Sequence, residues 1–180
     1  MRKLCLACLL LISLSITAQE IKFMGLSLDN DLNSFCKSLS SKGLKKTIDR
    51  FEEKEYVGTF ATYPDCRIIV NGTTDKKKIK SVEVIFESVR DKEYERNKAY
   101  ENIISQYSNK YNGKLVKMPS DDVTKMMNFT KYTITIDAIT IHIQKIGPGI
   151  FDKEECSMSI VYVNSSANDT GKGTDYSNDI

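Results

Sequence analysis

Residues 129–146, FTKYTITIDAITIHIQKI, decide the fold. Over 131–136 and again over 139–144 apolar and polar side chains alternate with period two, with Asp137-Ala138 between the two runs. A period of two places every second side chain on one face of an extended chain, so each run reads as a half-buried strand. Two such runs with a turn between them pair antiparallel.

Outward from this hairpin, the same logic holds in both directions. On the C-terminal side, 156–163 (CSMSIVYV) is another strand. On the N-terminal side, 114–118 (KLVKM) is a short one, preceded by a helix over 91–112. There Tyr100, Ile103, Ile104, Tyr107 and Tyr111 fall on one stripe, and Gly113 supplies the stop. Further back, 79–89 (IKSVEVIFESV) puts Val82, Val84 and Phe86 on one face and Glu83 and Glu87 on the other. Strands are expected also at 66–71 (CRIIVN), after a turn at Pro64-Asp65, at 55–63 (EYVGTFATY) and at 44–51. A first helix begins at a cap on Asp29, carries Leu32, Phe35, Cys36 and Leu39 at helical spacing, and ends at Gly43.

The halves answer each other. Lys42-Gly43-Leu44 matches Asn112-Gly113-Lys114, the turn at Asp65 matches that at Asp137, and Val84-Ile85-Phe86 matches Ile160-Val161-Tyr162. The expected fold is α+β: two helices packed on one face of an antiparallel sheet of about eight strands, built as a tandem α-β-β-β-β repeat. One domain spans 19–164, with halves 19–90 and 91–164. That length is ample for one core and short for two.

The ends have other roles. Residues 1–18 read as a signal peptide: Arg2 and Lys3, an apolar run over 4–16, then the small Ala18. The run is too short to span a bilayer and no later segment is apolar enough, so the chain is expected to be exported, periplasmic or secreted, without a membrane span. Residues 165–180 (SSANDTGKGTDYSNDI) lack the apolar side chains that offset ordering entropy and are expected to be a disordered tail. Their Gly171-Lys172-Gly173-Thr174 has no strand before it and no helix after it, so it is no phosphate loop.

Removing Arg2 and Lys3 leaves 24 basic against 24 acidic side chains. With no basic field to draw a phosphate backbone, no nucleic-acid partner is expected. Of five cysteines, Cys5 and Cys8 leave with the leader. Cys36, Cys66 and Cys156 share parity with core positions and read either as buried thiols or as one disulfide plus one thiol.

The entry Phe23-Met24-Gly25-Leu26-Ser27-Leu28-Asp29, the capped helix ending in Lys42-Gly43 and the strand meander after it resemble uncharacterised small exported proteins of Gram-negative gut anaerobes. Their duplicated helix-plus-four-strand plan is similar to the β-lactamase inhibitor protein family. That likeness implies helices backing a curved sheet whose open face grips another protein. It covers nearly the whole chain after residue 18 as architecture, and only the entry as sequence. The family ties its halves with paired cysteines and binds through a tryptophan-rich face. This chain has no Trp and three cysteines after residue 18, so neither target nor inhibitory activity carries over.

No catalytic constellation is visible, so the chain is not expected to be an enzyme. His142, the sole histidine, alternates with isoleucines and points away from their face; no nucleophile or second titratable group is nominated beside it. No cofactor and no metal are expected. Asp29-Asn30-Asp31-Leu32-Asn33 opens like a calcium loop, but its sixth position is Ser34 and its twelfth Ser40, so it caps a helix instead.

What remains is the sheet face away from the helices. With Val84 and its like facing the helices, Ile69, Ile85 and Val161 face outward, and Tyr56 and Phe60 are expected to join them, together with Arg67 and His142. Outward apolar side chains on a sheet form a binding patch when contiguous. The chain is therefore expected to be a non-enzymatic binding module holding a protein, peptide or glycan there. The alternatives are a structural or assembly factor of the cell envelope and, further off, a hydrolase-type enzyme whose site assembles from His142, Asp137 and Glu83.

Overall fold

A computed structural model describes residues 20–119, 121, 125, 128–148 and 156–167. The expected leader, residues 1–18, and the tail beyond 167 lie outside them. The elements run α1 (Leu32–Ser41), β1 (Lys45–Asp49), β2 (Glu53–Phe60), β3 (Tyr63–Gly72) and β4 (Ile79–Phe86). After a single 3-10 turn, Glu87–Val89, come α2 (Glu93–Lys110), β5 (Val116–Lys117), β6 (Phe129–Ile136), β7 (Ile139–Ile146) and β8 (Ser157–Asn164). Among the described residues the fold is α+β, with the two helices α1 and α2 and one antiparallel sheet of eight strands in the order β1-β2-β3-β4-β8-β7-β6-β5.

That order is a palindrome of two four-strand meanders joined at β4 and β8. The join pairs Val84 with Ile160, two residues 76 apart. A row crossing all eight strands shows the symmetry: Lys46, Tyr56, Ile68 and Val84 on one side, then Ile160, Ile143, Tyr132 and Lys117 on the other. Read from either edge it runs lysine, tyrosine, isoleucine, aliphatic. Each helix is followed by a left-handed glycine, Gly43 (φ +88) directly after the α1 cap and Gly113 (φ +71) after a left-handed Asn112 (φ +52) at the end of α2. A side chain there would meet the left-handed penalty that glycine escapes.

One face of the sheet is covered. Ile68, Val70, Val82, Val84, Met158, Ile160, Ile141 and Ile143 are fully buried beneath Leu32, Phe35 and Leu39 of α1 and Ile103 of α2. Each such side chain contributes roughly 1.5–3 kcal/mol on leaving water. Before α1, Met24 (φ +49) and Gly25 (φ +81) form a tight two-residue turn that closes a bridge between Phe23 and Leu26. This entry hairpin drives Phe23 into the core, stacked on Phe60 at 5.6 Å and edge-on to Tyr162 at 5.2 Å.

Four expectations are corrected. Tyr56 and Phe60 face the helices, 0% and 6% exposed, because Tyr56 pairs with Ile68 and so shares the covered side. Gly58 lies on that same side, half-buried, where a Cβ would fall 2.5 Å from Leu44 Cδ2; a glycine on the covered face hides the strand's parity. The β2–β3 turn falls at Ala61-Thr62, with Pro64 and Asp65 inside β3, so the counterpart of Asp137 (φ +53) is Ala61 (φ +53). The α1 cap is Asp31: its extended backbone aims Oδ1 at the amides of Asn33 (3.1 Å) and Ser34 (3.0 Å). Finally, Ser165, Ser166 and Ala167 are fastened rather than trailing. Ser165 donates its backbone N–H to the Ala138 carbonyl at 2.8 Å, Lys78 donates to the Ser166 carbonyl at 3.2 Å, and Ala167 is buried.

Candidate functional site

Among the described residues, no helix covers the other face of the sheet. Its centre is made by alternate residues of β3, β4, β8 and β7. Register brings them into two adjacent rows. One carries Glu55, Ile69, Glu83, Val161, His142 and Thr133; the next carries Val57, Arg67, Ile85, Ser159, Gln144 and Lys131. Five of the seven expected site residues, Arg67, Ile69, Ile85, His142 and Val161, therefore meet on one surface. Tyr56 and Phe60 lie beneath it on the covered side.

The polar members of this face are tied sideways, strand to strand. Arg67 Nε donates to Glu87 Oε1 at 3.1 Å, and its Nη1 lies 3.7 Å from Glu55 Oε2. Two carboxylates neutralise one guanidinium, whose side chain is still 35% exposed. Gln144 donates to Ser159 Oγ at 2.9 Å and Asn71 to Ser81 Oγ at 3.1 Å. His142 Nδ1 and Thr133 Oγ1 share a hydrogen bond of 3.0 Å. Burial, and secondarily the Lys131 charge, lower the His142 pKa below its ordinary value, which favours a neutral ring. Such lateral ties leave Ile69, Ile85 and Val161 as the apolar centre of the face.

Asp137, Glu83 and His142 are not brought together. Val161 stands between Glu83 and His142 in their row, which sets them two strand spacings apart, about 10 Å. Asp137 is in the β6–β7 turn at the end of the sheet. The expected calcium-like stretch is the start of α1, with its carboxylate engaged as a helix cap. The three cysteines are free and buried. Burial pushes the Cys66 thiol up to about 11 and raises that of Cys36.

Two buried charges escaped the reading of the sequence. Arg96 is 2% exposed, its Nη1 donating to the Arg90 carbonyl while, among the described residues, Nε has no hydrogen-bond partner. Its signal was its place on the stripe of Tyr100, Ile103 and Tyr107, where a cation stands out. Lys54, 9% exposed, donates to Asp49 and to the Arg50 carbonyl. Its signal was parity with Tyr56, which was legible only once the strand's facing was known.

No family model, no curated protein and no solved structure matches the chain. Among the described residues, no helix is long and apolar enough to cross a membrane.

Proposed function

We propose that this chain is an exported, non-enzymatic binding module that holds a protein, peptide or glycan on the helix-free face of its sheet. The observation that carries the reading is the meeting of Ile69, Ile85 and Val161 on one uncovered surface, flanked by Arg67 and His142. An aliphatic centre with a polar border is how protein-binding surfaces are laid out. Lateral hydrogen bonds hold the border side chains in place, so less rotamer entropy is lost when a partner arrives. The exported address rests on the leader-like pattern of residues 1–18.

The test is affinity capture from envelope and secreted fractions, comparing the parent with an Ile69→Asp, Ile85→Asp variant. A partner held by the parent and lost by the variant, with circular dichroism and Tm of the variant showing it folded, supports the reading. A partner held equally by both removes the binding face from the proposal.

A further inference from the structure

At the start of α2, where the chain has left β7 and is about to enter β8, lies a cleft of about 290 Å³ lined by Asp91, Glu93, Arg96, Pro148 and Cys156. It shares no residue with the helix-free face, and either site can exist without the other. Arg96 is buried, while Asp91 and Glu93 are exposed. Pro148 and the buried Cys156 add an apolar wall.

The charges around this cleft do not pair. A guanidinium carries five N–H donors, and a charge taken out of water demands a partner. Arg96 spends Nη1 on the Arg90 carbonyl; among the described residues its Nε has no acceptor and no carboxylate forms an ion pair with it. Glu93 stands three residues before it on α2, a spacing at which a glutamate and an arginine ordinarily reach one another. Among the described residues neither Glu93 nor Asp91 makes an ion pair or a side-chain hydrogen bond. Lys145 is a second cation nearby. It donates to Asn97 Oδ1 at 2.7 Å, and its pKa is lowered first by burial and then by the Arg96 charge, with Glu101 and Glu93 acting the other way. The cleft is positive on its buried side and negative at its rim.

An unpaired charge of each sign selects the ligand. A simple anion would meet Asp91 and Glu93, and a simple cation would meet Arg96; a molecule that carries both charges satisfies both ends. We propose that this cleft binds a free α-amino acid with a small side chain, its carboxylate accepting from the Arg96 guanidinium and its ammonium donating to Asp91 and Glu93. The side chain lies toward Pro148 and Cys156. The volume falls just under the roughly 300–1,000 Å³ of clefts that take drug-sized ligands, which suits a smaller molecule of this kind.

The probes are L-alanine and its two singly charged counterparts, propionate and ethylamine, titrated into the purified protein by calorimetry and by ligand-observed NMR. L-Alanine is expected to bind saturably and each counterpart roughly tenfold or more weaker, the loss of one charged hydrogen bond. Asp91→Asn and Glu93→Gln alter exposed side chains, so Tm is expected to hold while L-alanine weakens severalfold and propionate does not. Arg96→Gln is expected to abolish L-alanine binding; because Arg96 is buried, the two rim variants decide the matter if that one fails to fold. No saturable binding of L-alanine up to about 10 mM overturns the proposal. Propionate binding as tightly as L-alanine makes this a plain anion site and overturns it too. Ethylamine binding as tightly, or L-alanine binding unchanged in both rim variants, does the same.

Discussion

Arg67 on β3 and His142 on β7 hold the same place in the two halves of the sheet. Each faces away from the helices, and each pairs across to an aliphatic residue: Arg67 with Ile85, His142 with Val161. Ile85 and Val161 are themselves 76 residues apart and lie on the two central strands. The pseudo-twofold relation thus sets a cation-forming side chain beside an aliphatic one twice, at opposite ends of one patch. The outer neighbours break the symmetry. Glu55 in one half corresponds to Lys131 in the other, so the two ends of the patch differ in charge.

The facing of β2 makes two sets of substitutions separable. Tyr56→Ser and Phe60→Ser each remove a buried ring and are expected to cost about 3–5 kcal/mol. Ile69→Ser and Ile85→Ser act on half-buried positions and are expected to cost about 1–2 kcal/mol. Urea midpoints at constant m-value check this; equal losses in the two sets would contradict the assigned faces.

Ala61 pays the left-handed penalty at an exposed turn, where its counterpart Asp137 is a residue that tolerates that region. Ala61→Gly is expected to stabilise the protein by about 0.5–1 kcal/mol, the steric gain exceeding the entropy of the added glycine. Thermal unfolding of that variant beside Asp137→Ala, expected to fall, tests the equivalence of the two turns.

His142 couples stability to pH. Its native pKa lies below its ordinary value of 6.5, so the folded state binds fewer protons than the unfolded state. The linked stability is whole above 6.5 and is lost as pH falls from there through the lower native value. Tm is accordingly expected to drop between pH 7 and about 5 by more in the parent than in His142→Gln. Parallel profiles would refute the coupling.

Cys36, Cys66 and Cys156 are free, each no more than 7% exposed. A thiol reagent such as DTNB is expected to label none of the three rapidly in the native protein and all three in guanidinium. Fast native labelling at Cys66, whose pKa is pushed up to about 11, would contradict its burial.

Much of this arrangement was readable residue by residue. Alternation in 79–89 and 129–146 named the strands, because each has one dry face and one wet one; the match of Val84 with Ile160 was read as a repeat, and their pairing at the centre of the sheet came only with the structure. What failed to show has physical causes. In β2 a half-buried glycine on the covered face, kept small by Leu44, erased the apolar mark that parity needs. At Ala61 the turn carries no glycine or proline, while Pro64-Asp65, which looks like a turn, sits within a strand. The cleft beside Arg96 joins residues from 91 to 156, and no local spacing encodes such a gathering.

The palindromic sheet has a bearing on the order of assembly. Its central seam is made by β4 and by β8, the last strand among the described residues, so Ile85 waits for Ser159 before the middle of the sheet can close. Pairings across such sequence distances form late, after the entropy of a long loop has been met. During synthesis the first meander has an open edge and an uncovered flank until the second arrives. For the exported destination proposed above, this delay is useful: a chain that locks only when its last strand is available stays threadable through a membrane channel, and completes itself on the far side.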